Sequence, residues 1–298
     1  MGTKLIGILV LVLAFGSLFY LSRSGGFSPL TSLFTAPTGT PPTSSVETPP
    51  PLPPEPPPPP PALGPPSYIY PSQIPAGFTL SQLSPHFRKV RIASVSPGFR
   101  GGYARIELSA YLEEGSINIT GWRLEGNRDA KVIPKAVPVY FPFGLPTEGD
   151  IILKSGDFVR IYSTSSSPLG QSVKLNKCFG YLENHYRTDP PFGARCPAIE
   201  RPSVIYTFTG QCQSYIFSLG SCEESTSNPP VPLTDYGCRE YLKRFNYKGC
   251  FDLHRNDADF LEREWRVWLG LNTNFLDFEH DRVLLFDRQG LLVDQYIY

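Results

Sequence analysis

From Ala104 to Leu112 apolar and polar residues alternate, with Ala104, Ile106, Leu108, Ala110 and Leu112 on one parity and Arg105, Glu107 and Ser109 on the other. A period of two is that of a strand with one face on a core. After a polar turn at Glu113 to Ser116 the alternation resumes with Ile117 and Ile119, then flips at Gly121, so that Trp122 and Leu124 take the apolar positions. A glycine at a parity flip predicts a bulge that turns the Trp122 ring inward, and Gly121, Trp122 and Leu124 are expected to set the core of a two-layer β domain. Val90 and Ile92 predict a strand before this pair. Val132 to Phe141, interrupted by Pro134 and Pro138, reads as an edge strand. Further strands are expected at Ile151 to Leu153 and at Val159 to Tyr162. The rhythm returns at Glu264, where Trp265, Val267, Leu269 and Leu271 alternate with Arg266, Trp268 and Gly270. Arg282 to Phe286 and Leu291 to Tyr298 flank a turn ending in Gly290, which reads as a closing hairpin.

Residues 165–263 break the β rhythm and hold all six cysteines, Cys178, Cys196, Cys212, Cys222, Cys238 and Cys250. They read as a disulfide-bonded insertion. Its clearest helix runs from Tyr236 to Lys248, capped by Thr234 or Asp235 and stopped by Gly249, with Cys238, Tyr241, Leu242 and Phe245 as its buried stripe. Six cysteines allow 15 pairings. The spacing favours Cys212 with Cys222, and Cys238 with Cys250 if the chain folds back after Gly249, which leaves Cys178 with Cys196.

The folded part is expected over 87–298, and what precedes it is not globular. Leu5 to Leu21 is an uncharged, mostly aliphatic run within a segment 1–24 that reads as a transmembrane anchor or a cleaved signal peptide. The run continues past Gly16, which favours the anchor, with residues 5–21 in the bilayer. Residues 25–76 are dominated by Pro, Ser, Thr and Gly, the composition of a disordered, semi-rigid stalk. Clustered cysteines behind an export signal place the domain in an oxidising compartment. Lys plus Arg and Asp plus Glu are 27 each, and this zero net charge argues against a nucleic-acid partner.

The segments Ile119-Thr120-Gly121-Trp122-Arg123-Leu124, Ser155-Gly156-Asp157-Phe158-Val159-Arg160-Ile161 and Asp281 to Asp287 with Gly290, Leu292, Val293 and Asp294 resemble the lamin-tail domain. The resemblance covers Val90 to Tyr162 and Glu264 to Tyr298. It implies an immunoglobulin-like β sandwich, found in bacteria on exported or anchored envelope proteins and serving in interaction or anchoring. It supplies no catalytic residue.

No strong enzyme motif is present. The densest group of ligating side chains is Asp252, His254, Asn256, Asp257, Asp259 and Glu262. Of these Asp252, His254, Asp257 and Asp259 are weak metal candidates, with a metal-dependent hydrolase as the alternative function. The plainer reading is a polar loop leading to Phe260. Among the aromatics, Tyr186, Tyr206 and Trp268 are candidates for stacking on a sugar or binding a protein. The Asn118-Ile119-Thr120 sequon lies in an expected strand. The function expected is a non-catalytic binding or adhesion module, without cofactor, for a protein or glycan at the cell surface; a purely structural envelope spacer is a further alternative.

Overall fold

The computed structural model describes residues 69–98, 102–164, 167–187, 191–193, 196–198, 202–271 and 274–298. The expected membrane segment 5–21 and the stalk as far as residue 68 lie outside the described residues, among which no helix is long and apolar enough to cross a membrane.

The described chain is mainly β. Strands β1 (Val90–Ser96), β2 (Arg105–Ala110), β7 (Phe158–Tyr162), β9 (Leu261–Trp268) and β8 (Val173–Asn176) form one sheet in that order. A second sheet has the order β11 (Leu292–Ile297), β10 (Arg282–Phe286), β4 (Arg123–Glu125), β5 (Ala130–Val132), and β3 (Ile117–Asn118) pairs with β6 (Ile152–Leu153). Both larger sheets contribute to one apolar core that contains Ile106, Leu108, Val159, Ile161, Trp265 and Val267 from the first and Leu124, Val283, Leu285 and Val293 from the second. The alternation at Ala104 to Leu112 therefore has its expected meaning, whereas the strand expected over Val132 to Phe141 is cut short: the edge strand β5 ends at Val132, before Pro134, and only isolated bridges at Ala136 and Val137 follow.

Trp122 is buried in this core, as expected, but Gly121 makes a corner instead of a bulge. The Trp122 N–H donates to Ile119 O at 3.1 Å, and Gly121 has φ +81°, the left-handed value that a type II turn needs at its third position. The chain thus leaves β3 and enters β4 in a different sheet.

β7 and β9 run parallel, with Tyr162 beside Trp268 and Phe158 beside Glu264. Parallel neighbours need a crossover, and the cysteine-bearing segment is that crossover. It is not free of β structure, since β8 lies within it and pairs with β9. It also covers the outer face of the five-stranded sheet, where Tyr162 and Trp268 join Phe179, Phe192, Tyr247, Phe251 and Phe260 in a second apolar cluster. Trp268, a candidate exposed aromatic by its parity, is accordingly buried at 6% exposure, its ring stacked 5.7 Å from that of Tyr162. Both faces of the last turns of β9 are covered, so parity there no longer separates inside from outside.

Charge is buried on the same outer face. Arg266 donates through Nε to Glu264 at 2.8 Å, and Arg160 reaches both Glu264 at 2.8 Å and Glu107 at 3.1 Å. Arg266 also donates to the carbonyls of Pro191 and Phe192 at 2.7 and 2.6 Å, which clamps the insertion onto the sheet. Packing begins before residue 87. Leu83 and Phe87 form a cluster with Phe286 and Leu292, and Ile69 and Ile74, from the range expected to be stalk, pack against it.

Candidate functional site

Within the insertion the described α-helices are α1 (Gly210–Ser218), α2 (Tyr236–Leu242) and α3 (Tyr247–His254). Each starts on a side-chain cap. Thr209 Oγ1 accepts from Cys212 N at 3.3 Å, Asp235 Oδ1 from Cys238 N at 3.1 Å, and Asn246 Oδ1 from Gly249 N at 2.8 Å. Asp235 also accepts from Thr209 N at 2.9 Å, and these backbone donors, Thr209 first, hold its carboxyl below the usual range. One carboxylate therefore ties the starts of α1 and α2 together.

The single helix expected over Tyr236 to Lys248 is two. Asn246 caps a new helix, and Gly249, expected as a stop, sits in its first turn. A Cβ on Gly249 would lie 2.3 Å from Lys243 O and 2.6 Å from Arg244 Cα, so only glycine lets α3 begin this close to the end of α2. The Asn-x-x-Gly spacing was the signal available in the sequence.

All six cysteines are bridged, in pairs other than those favoured by spacing. They are Cys178–Cys250, Cys196–Cys222 and Cys212–Cys238. Neighbours in sequence were favoured, whereas the fold pairs elements that pack. Cys212 and Cys238 belong to the α1–α2 cluster with Ile205, Ile216 and Leu242, and Cys178 and Cys250 to the cluster on the outer sheet face. Cys212, Cys238 and Asp235 converge within 4.8 Å, the one such metal-like group among the described residues, but both sulfurs are already bonded to each other.

The break between α2 and α3 opens a groove of about 740 Å³. Val204, Phe208, Tyr241 and Leu253 supply apolar lining. The Phe208 and Tyr241 rings lie 5.7 Å apart, and Gly237 gives Phe208 the space to approach, since a Cβ there would meet its ring at 3.1 Å. On the rim Lys243 pairs with Glu240 and Lys248 with Asp252. Arg244 lies over the Tyr241 ring at 4.9 Å and forms no ion pair among the described residues. Val204 and Leu253 are part-exposed, and Tyr206 and Tyr236 near the groove in sequence are 68% and 78% exposed. An amphipathic groove with an aromatic wall and one unpaired guanidinium can take an apolar side chain together with an acidic neighbour.

The candidate metal ligands are spread over separate partners. Asp252 is held by Lys248 on α3. His254 Nδ1 lies 2.8 Å from Asp257, and Lys177 contacts Asp257 and Asp259 at 2.7 Å each. Asp257 is held below the usual carboxylate range by Lys177 first and then His254. A lysine ammonium thus occupies the position between two of the four candidates. Of the candidate aromatics Tyr186 is 38% exposed and Tyr206 remains on the surface. The sequon is engaged in structure: Asn118 donates to Asp150 at 2.6 Å and Thr120 Oγ1 accepts from Ile151 N at 2.7 Å. Phe208 is among the aromatics of the insertion that the sequence offers for binding, whereas Val204, Arg244 and Leu253 carry no signal in it, because the groove exists only once the helix is broken. No family model, curated protein or solved structure matches the chain.

Proposed function

We propose that this protein is a non-catalytic binding or adhesion module, anchored in the membrane through residues 5–21 and carried outside the cytoplasm on its proline-rich segment. The domain is read as a lamin-tail-like, immunoglobulin-like sandwich whose long crossover has become the recognition element. Two sheets around one core agree with that reading, and three disulfides agree with an oxidising compartment. The observation that carries it is the groove between α2 and α3, an apolar cleft beside a segment that is held by its own disulfide and also carries exposed Tyr206 and Tyr236. Loops on a rigid scaffold commonly carry recognition, and aromatic and arginine side chains supply most of the anchoring energy at interfaces. The partner is a protein that offers an apolar side chain beside a carboxylate.

The test uses the full chain in its native host, with a photo-crosslinking residue at Tyr206 or Leu253 and, as control, at Tyr111 on the sandwich. A discrete adduct from the first two positions, lost when Arg244→Glu is added, supports the proposal. Adducts equal to those from Tyr111, or a glycan-only adduct, refute it.

A further inference from the structure

A second cleft, of about 520 Å³, lies where the insertion meets the end of the five-stranded sheet. The sheet side contributes Lys154 and Arg263, the insertion side Arg255, and the apolar walls are Phe141, Phe251 and Phe260. Lys154, Arg255 and Arg263 form no ion pair or side-chain hydrogen bond among the described residues. Arg263 lies against the tight turn before β7, where a Cβ on Gly156 would stand 3.0 Å from its Nη1. The acids of the cleft are otherwise engaged. Asp157 accepts from the Lys154 backbone N–H at 3.0 Å and lies 3.5 Å from Lys174. Asp257 is held by Lys177 and His254. Glu262 forms no ion pair among the described residues, and burial, helped by repulsion from Glu264 and opposed by Arg266, pushes its carboxyl above the usual value.

The lining thus carries Lys154, Lys174, Arg255 and Arg263 against Asp157, Asp257 and Glu262, an excess of one positive charge in a chain whose overall charge is zero, and only Lys174 of the four cations forms an ion pair among the described residues. In a concave, partly apolar cleft such an excess focuses positive potential on what enters. We infer that this cleft is a binding site for a doubly charged organic oxyanion with an aromatic or apolar group, the oxygens meeting Lys154, Arg255 and Arg263 and the apolar group lying on Phe141 and Phe251. The volume fits a small molecule or one terminal group of a larger one. The Phe141 and Phe251 rings lie 5.5 Å apart and are tilted by 56° to each other, an aromatic wall that a third ring can meet face-on or edge-on. This site is separate from the groove between α2 and α3 and does not depend on the function proposed for it.

The test is calorimetric titration of the full chain in detergent with phenyl phosphate, inorganic phosphate and benzyl alcohol. Phenyl phosphate should bind saturably and at least about tenfold more tightly than either fragment, and weaken as salt shortens the Debye length. Arg263→Gln and Lys154→Gln, both at solvent-facing positions, should each weaken it by about tenfold, while Lys135→Gln, far along the chain and outside the cleft, leaves it unchanged. Near-ultraviolet dichroism checks that each variant keeps its aromatic packing. Absence of saturable binding, equal affinity for inorganic and phenyl phosphate, or indifference to both substitutions overturns the inference.

Discussion

Replacing Arg266 with methionine tests whether the insertion is clamped to the sheet by charge. Arg266 is 3% exposed and makes hydrogen bonds of 2.8 Å to Glu264, 2.7 Å to Pro191 O and 2.6 Å to Phe192 O, with its guanidinium 5.4 Å from the Phe192 ring. Glu264 keeps Arg160 at 2.8 Å when Arg266 is lost, so its charge is not orphaned. The buried Phe192 carbonyl loses its donor, at about 1–3 kcal/mol, while the carbonyl of exposed Pro191 can turn to water. Methionine refills much of the volume, so the packing loss is small beside this. The total expected is about 1–3 kcal/mol, still a sizeable share of the roughly 5–15 kcal/mol that stabilises a domain. Arg266→Lys keeps the charge but can reach at most part of the triangle of acceptors, and should fall between. Urea unfolding in oxidising buffer, followed by tryptophan fluorescence, reads the difference. A cost below about 1 kcal/mol for Arg266→Met would refute the clamp, because it would mean that water replaces the guanidinium freely.

Removing Cys212–Cys238 by a paired serine substitution should cost about 3 kcal/mol, as expected for a loop of this length, with new proteolytic cuts within 203–245 before any in the strands. Mass spectrometry of a limited digest locates them. Gly121→Ala places a side chain at φ +81° and its Cβ 3.1 Å from Arg288 Nε, at an expected cost of about 1–3 kcal/mol seen as a lower Tm. Asp294 accepts from Ile92 N at 2.7 Å, yet burial, the larger effect, raises its carboxyl above the ordinary value. In the window from the ordinary carboxylate pKa up to that raised value the folded state binds more protons than the unfolded one, so this group's contribution falls as pH rises. Asp294→Asn should therefore compare better with the parent at pH 7 than at pH 4; the opposite order of Tm differences would contradict the sign.

Local physics was legible where one face of a strand meets the core and the other meets water. Ala104 to Leu112, the closing hairpin with Gly290 at φ +78° and the cap at Asp235 follow directly from period, turn chemistry and capping. Trp268 was misplaced because parity presumes a solvated outer face, and here the insertion covers it. Gly121 was identified as special, but a bulge and a sheet-switching corner both need positive φ, and only strand pairing separates them. Cys212–Cys238 follows from the packing of α1 on α2 and Cys178–Cys250 from the packing on the outer sheet face, long-range properties that cysteine spacing does not carry. The ligating residues around His254 were dense in sequence, and the lysine that occupies them, Lys177, lies far away in the chain on the segment after β8.

The topology also decides how the insertion's role can be tested. Joining Thr164 directly to Leu261 looks like a clean excision of the cysteine-bearing segment, but β7 and β9 are parallel. Tyr162 ends β7 level with Trp268, whereas Leu261 starts β9 seven residues earlier (268 − 261 = 7). At about 3.3 Å per residue the new connection would have to return roughly 23 Å along the sheet, so it needs at least about seven residues where the excision leaves only Ser163 and Thr164. It would also remove β8 and expose Tyr162, Trp268 and the Arg266 charge network. Loss of binding by such a variant would report unfolding, not recognition. The block from Ile205 to Phe245 is different, because it has an apolar cluster of its own and a disulfide within it. Surface substitutions at Tyr206 and Arg244 on that block, and at exposed Leu253 on α3, remove no side chain of the sheet or of its outer cluster. They separate the contact surface from the scaffold, which excision of the whole crossover cannot do.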